Sequence, residues 1–156
     1  MIEKAELHSG WTLSCNDTEH PGLPEFIPAA VPGCVHLDLL ANRLIPDPYL
    51  DVNEISNDWI GRTEWTYRCS FEAAPDERKV HELVFDGLDT IATIRLNGEE
   101  VARSFNQHRT YRFDVSALLK AGVNELSVTF HSAYAHGAEM EKRSATGPTI
   151  IPGPAT

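Results

Sequence analysis

Two stretches of alternating sequence constrain most strongly what this chain can fold into. In Trp65-Thr66-Tyr67-Arg68-Cys69-Ser70-Phe71 the odd positions are apolar and the even ones polar. Successive side chains of a strand point to opposite faces, so this reads as a strand with one face buried and one face wet. Ala92-Thr93-Ile94-Arg95-Leu96 repeats the pattern, and Asn97-Gly98 follows at once. Asn-Gly is the strongest short hairpin signal, because both central residues of the tight turn must accept positive φ.

Around these blocks the chain reads as a series of short elements. Residues 6–15 form an opening strand with Leu7, Trp11 and Leu13 as its apolar members, and residues 26–31 a short strand stopped by Pro32-Gly33. Val35, Leu39 and Leu40 have helical spacing, and Pro46-Asp47-Pro48 ends that segment. Residues 52–58 are polar and irregular, with room for a helical turn. Residues 82–86 are a more continuous apolar run, as expected of an inner strand. Residues 101–105 return from the hairpin and residues 111–115 alternate again. Ser116 is placed to cap a turn ended by Gly122, and Leu126, Val128 and Phe130 mark a further strand. Many short strands with little helix predict an all-β fold, a jelly-roll β-sandwich with short helical segments. There is no Cys–Trp–Cys arrangement of the immunoglobulin kind. The sandwich is expected over residues 1–143, with a helix over 135–143. Residues 144–156 carry Gly147, Pro148, Pro152, Gly153 and Pro154, a density of breakers that reads as a tail. The apolar pair Ile150-Ile151 within it points to a chain cut inside a longer protein.

The 156 residues suffice for one domain with a core, and 42% hydrophobic with 23% charged residues is ordinary for a globular protein. A formal net charge of −10 argues against nucleic-acid and anionic-membrane surfaces, which need clustered Lys and Arg. No run approaches the roughly 20 apolar residues of a membrane span, and the first residues do not read as a signal peptide. Cys15, Cys34 and Cys69 match no zinc or Cys-x-x-Cys pattern and read as reduced thiols of a cytoplasmic protein. Asn16-Asp17-Thr18 fits a glycosylation sequon that such a protein would not use.

Catalytic patterns are not evident. His131 and His136 lie five apart rather than four, and Cys34 with His36 has no answering pair, so no metal site is expected. No Gly-x-Ser-x-Gly elbow occurs, Ser116 and Lys120 are four apart rather than three, and no Gly-rich run opens a helix for phosphate. Asp58, Glu64, Asp86 and Asp89 are plentiful acids, but glycosidase chemistry needs two carboxylates about 5 Å or about 6.5–9.5 Å apart, which sequence does not show. Asp86 and Asp89 flank Gly87-Leu88 and read as turn-fixing residues. For binding, sugars are held by flat aromatic faces and bidentate polar groups. Trp65 is in the apolar register of its strand, so Trp59 and Arg62 in the preceding loop are the substrate-side candidates. Two readings stand for them: they face a ligand, or Trp59 pins the loop to the sandwich and Arg62 pairs with an acid. Gln107-His108-Arg109 is a second polar loop with the same alternatives.

Several segments together resemble the N-terminal domain of the β-mannosidases of glycoside hydrolase family 2. They are Gly10-Trp11, the run from Val31-Pro32-Gly33-Cys34 to Leu39-Leu40, Ile45-Pro46-Asp47-Pro48, Trp59-Ile60-Gly61-Arg62 and Trp65-Thr66-Tyr67-Arg68. Phe85-Asp86-Gly87-Leu88-Asp89-Thr90, Leu96-Asn97-Gly98, His108, Tyr111-Arg112-Phe113 and Asn124-Glu125-Leu126 complete the set. The resemblance implies a galactose-binding-like jelly-roll followed by immunoglobulin-like and TIM-barrel domains. In the family the barrel carries both catalytic Glu residues of a retaining hydrolysis of terminal β-D-mannose. It implies no cofactor and no catalytic residue in this chain, and it puts Trp59 and Arg62 on the side that walls the substrate cleft. A free-standing carbohydrate-binding module is the alternative. A third reading, a domain that docks other protein, predicts an exposed apolar patch.

Overall fold

The structure is a computed structural model and describes residues 3–15 and 22–143. The proposed tail 144–156 and the sequon at Asn16-Asp17-Thr18 lie outside the described residues.

Among the described residues, eight strands and four helices follow one another. The elements are β1 (Trp11–Cys15), β2 (Ile27–Ala29), α1 (Val35–Ala41), α2 (Asn53–Ser56), α3 (Trp59–Arg62), β3 (Trp65–Ala73), β4 (Glu82–Phe85), β5 (Ala92–Leu96), β6 (Glu99–Ser104), β7 (Tyr111–Asp114), β8 (Gly122–Phe130) and α4 (Ala133–Arg143). Six strands form one antiparallel sheet in the order β2-β1-β3-β8-β5-β6, and β4 pairs with β7 in a second sheet. The alternating blocks became β3 and β5, and β8 pairs with both. Asn97 and Gly98 turn the β5–β6 hairpin at φ 54° and 88°, as the dipeptide requires.

One hydrophobic cluster joins the two sheets. Leu13, Trp65, Tyr67, Ile94, Leu96, Leu126 and Val128 enter it from the larger sheet, and Leu83, Phe85, Tyr111 and Phe113 from the smaller. Leu39 of α1 and Ile60 of α3 close it where the sheets leave gaps. The wet face of the larger sheet is not wet everywhere. Thr66 is buried there, and its hydroxyl meets that of Thr129 on β8 at 2.9 Å.

Several expectations shift. The opening strand starts only at Trp11, because Gly10 at φ 75° breaks the extended run before it. Residues 82–86 do not form an inner strand. β4 lies in the two-stranded sheet with Val84 on an exposed face, since an apolar run records burial poorly when one member faces solvent. Ser116 donates to Asp114 Oδ1 at 2.7 Å and accepts the His81 N–H at 2.9 Å, so it ties β7 to β4 rather than capping a helix.

Candidate functional site

The registers bring separate loops to one end of the large sheet. Cys15 pairs with Trp65, Trp65 with Phe130, Phe130 with Ala92, and Ala92 with Ser104. That end therefore gathers α3 before β3, α4 after β8, residues 86–91 before β5 and residues 105–110 after β6.

Trp59 and Arg62 stand on the short helix α3 rather than in a loop. Trp59 is half-buried against the core, with its ring centroid 5.8 Å from that of Trp65. Trp65 donates its indole N–H to the Ile60 carbonyl at 2.9 Å, and Thr63 donates its hydroxyl to the Trp59 carbonyl at 2.9 Å. Arg62 is exposed. It donates to Asp58 Oδ2 at 2.6 Å, and its guanidinium lies 4.8 Å from the Tyr134 ring centroid. The hydrogen bond and charge of Asp58 hold that guanidinium above its ordinary pKa. A shallow depression of about 530 Å³ lies here, lined by Arg62, Tyr134, Gly137 and Glu141 among others. Ser132 joins α4 to α3 by donating to the Gly61 carbonyl at 2.9 Å. The aromatic and the cation therefore take different tasks: one anchors α3, the other faces outward under α4.

Beside them is a carboxylate, an imidazole and a hydroxyl in line. His131 bridges Glu64 Oε1 at 2.6 Å and Thr93 Oγ1 at 2.8 Å. Such a row suits nucleophilic catalysis only if the hydroxyl reaches a substrate. Thr93 is 4% exposed, within the central strands, so the row ties β8, β5 and the entry to β3 together. His131 does not pair with His136, and among the described residues no three His, Cys, Asp or Glu side chains form a metal-binding group.

The second polar loop is engaged in the same way. With its amide nitrogen turned toward the carboxylate, Gln107 donates to both oxygens of Asp89 at 2.7 and 2.9 Å and accepts from His108 Nε2 at 3.0 Å. Asp89 also accepts the Thr90 hydroxyl, consistent with a turn-fixing role. Arg109 lies 5.0 Å from the Tyr111 ring centroid. Away from this end, an open groove of about 790 Å³ runs over the polar face of the large sheet. Thr12, Ser14, Phe26, Arg68, Ser70 and Glu125 line it, and Arg68 donates to Ser14 Oγ at 2.7 Å.

The model of one family, described as glycosyl hydrolase 2 galactose-binding domain-like, matches residues 11–153. The chain belongs to that family. Among its relatives, β-mannosidase B of Thermothelomyces thermophilus is 43% identical over 118 residues, which is 74% of this chain and 14% of that protein. β-Mannosidase B of Aspergillus clavatus is 34% identical over 148 residues, 92% of this chain and 17% of that protein. Among solved structures, a β-D-mannosidase from Dictyoglomus thermophilum superposes with a TM-score of 0.85 at 33% identity, over 92% of this chain and 17% of that one. The galactose-binding-like chain thus spans between about one seventh and one sixth of these relatives' length. It corresponds to one domain of such an enzyme, and that domain is not the catalytic one.

Glu64, His131 and Tyr134 are the members of this end of the galactose-binding-like domain that sequence reasoning did not assemble. Glu64 and His131 were visible only as an isolated acid and half of a failed metal pair. Register alone joins them, since Trp65 opposite Phe130 sets Glu64 beside His131.

Proposed function

We propose that this chain acts as the non-catalytic N-terminal domain of a β-mannosidase, an enzyme that removes terminal non-reducing β-D-mannose with retention. In this reading its α3 end stands beside a substrate cleft formed with immunoglobulin-like and TIM-barrel domains of the same polypeptide. Trp59 stiffens that end, and Arg62 presents its donors to the cleft. The observation that carries the reading is the likeness to the Dictyoglomus thermophilum β-mannosidase across 92% of this chain. The crossing connections β3–β8 and β5–β8 favour a jelly-roll path for the sandwich. The free thiols of Cys34 and Cys69 favour a reducing compartment, the cytoplasm.

The test is a chimera in which this chain replaces the matching segment of the Dictyoglomus enzyme. The chimera is expected to hydrolyse an aryl β-mannoside, while the 156-residue chain alone does not. A folded but inactive chimera would overturn the reading, and so would hydrolysis by the isolated chain.

A second reading, a free-standing carbohydrate-binding module, is favoured by the groove over the large sheet. It offers the aromatic Phe26 beside Arg68, Glu125 and three hydroxyls. Titration of the isolated chain with methyl β-mannoside at millimolar concentration tests it. Amide shifts confined to the groove would support it, and unmoved resonances would end it.

A further inference from the structure

Arg68 is a half-buried cation without an acid. Among the described residues, the exposed Arg62, Arg78, Arg95, Arg103 and Arg112 each pair with a carboxylate at 2.6–3.3 Å. Arg43 and Arg109 have no such partner, but they stand exposed. Arg68 is less exposed than any of these, and its guanidinium holds only the Ser14 hydroxyl, at 2.7 Å. Withdrawing a cation from water costs free energy that a counter-charge ordinarily offsets. Two acids, Glu25 and Glu125, line the same open groove of about 790 Å³, and neither pairs with Arg68 or with another described cation.

The strand registers account for the separation. Thr12 lies opposite Arg68, and Ser70 opposite Glu125. Arg68 and Glu125 are therefore diagonal neighbours on the outer face of the large sheet, and such positions stand about 7–8 Å apart. The Ser70 hydroxyl between them makes no hydrogen bond among the described residues. Phe26, 53% exposed, lines the same groove.

This arrangement discriminates by charge. An anion drawn to Arg68 meets Glu25 and Glu125, and a cation drawn to those acids meets Arg68. A neutral polyhydroxyl ligand satisfies both signs, because one hydroxyl accepts from the guanidinium while its neighbour donates to a carboxylate. Phe26 supplies a flat apolar surface for the C–H face of a pyranose. An open groove covers one side of each sugar only, so linked units that add their contacts bind better than a single unit.

We propose that this groove is an accessory site for a β-linked mannose oligomer, separate from the α3 end. The choice of mannose rests on the β-mannosidase reading, whereas the choice of a neutral sugar rests on Arg68, Glu25 and Glu125. Arg68 and Glu125 take neighbouring hydroxyls, and Phe26 takes a ring face. Within an enzyme such a site retains the oligomer between successive cuts.

The test titrates the 156-residue chain with a β-linked mannohexaose, with methyl β-mannoside and with the matching glucose hexamer, and follows amide shifts. Mannohexaose is expected to move the amides of Thr12, Ser14, Arg68, Ser70 and Glu125 at lower concentration than either of the others. Phe26→Ala and Glu125→Gln change exposed positions, so they should leave melting unchanged and each weaken that binding about tenfold. Arg68→Gln should weaken it at least as much, with circular dichroism as its folding control. Unmoved amides at millimolar mannohexaose would overturn the site, and hydrolysis of an aryl β-mannoside by the Dictyoglomus chimera would still leave the mannosidase reading standing. Shifts confined to residues 59–64 and 131–134 would place the sugar at the α3 end and overturn the groove. An equal response to the glucose hexamer would overturn the choice of mannose. Competition by millimolar sulfate at constant ionic strength would make Arg68 an anion site and overturn the neutral ligand.

Discussion

Tyr67 donates its phenolic hydroxyl to Asp38 Oδ2 at 2.7 Å inside the core, joining the central strand β3 to helix α1. Asp38 is buried and its other oxygen accepts the Ala30 N–H at 2.9 Å. A buried carboxylate is tolerated when its lone pairs are occupied, and here two donors from different elements occupy them. Asp38→Ala would strand both donors, each costing about 1–3 kcal/mol. Tyr67→Phe removes one donor and leaves Asp38 its backbone partner, so it should cost less. Urea unfolding of both variants checks the order, and equal losses would contradict it.

Cys69 sets an alkaline limit on stability. Burial pushes its thiol up to about 11, from 9.0 in the open. The sign follows from the raised value. Below pH 9 both states hold the proton and the contribution is fully present. Between pH 9 and 11 the unfolded chain releases the proton while the folded one keeps it, so stability falls. A shift of two units corresponds to about 3 kcal/mol once pH exceeds the folded value. Desolvation raises the Tyr67 hydroxyl as well, with the Asp38 hydrogen bond adding to it, so its loss acts in the same direction at higher pH. Denaturant melts of Cys69→Val across pH 8 to 11 should show the lower step removed and the Tyr67 step retained.

The strands were legible where a single face decides each residue. Trp65, Tyr67 and Cys69 are buried as period two requires because that side of β3 lies over the core, while the burial of Thr66 between them was not legible, since its partner Thr129 comes from β8. Asn97-Gly98 was legible because few residues accept the backbone of that turn. Asp38 was not, since nothing local distinguishes a buried acid from a solvated one until Tyr67 arrives from 29 residues away. The candidate end was half legible. Trp59 and Arg62 were found from residue type, but their neighbours Trp65 and Asp58 were not, because helix α3 decides which side chains meet.

Asn124 should be the most sensitive polar position. It is fully buried on β8 and donates to the carbonyls of Lys120 at 2.8 Å and Gly122 at 3.0 Å. Its oxygen accepts from Asn97 Nδ2 and the Lys120 N–H, both at 2.8 Å. Asn124→Ala leaves four groups without this partner and should cost about 3 kcal/mol or more. At Asn97 the isosteric Asn97→Asp should be worse than Asn97→Gly. The carboxylate would face the Leu118 carbonyl and Asn124 Oδ1 with no donor, whereas Gly keeps the positive φ without repulsion. Thermal melts of the three variants at pH 7 would reveal a different order if the hairpin is held by backbone alone.

The hold of α3 on α4 can be measured through Arg62 and Tyr134. α4 is exposed from Ala133 to Lys142, and the Ser132–Gly61 hydrogen bond and the guanidinium over the Tyr134 ring are two of its ties to α3. Exposed cation–π contacts are worth about 0.5–1 kcal/mol, and the exposed Asp58 pair adds little. Arg62→Ala and Tyr134→Ala should therefore leave global stability nearly unchanged while speeding amide exchange in residues 133–143. A double-mutant cycle should return coupling in that same range. Arg62→Lys keeps the charge but not the planar group over the ring, so it should recover the Asp58 pair and only part of the protection. Exchange in α4 that ignores all three changes would show that the helix is held by other ties, the Ser132–Gly61 hydrogen bond among them, and would relieve Arg62 of that structural duty.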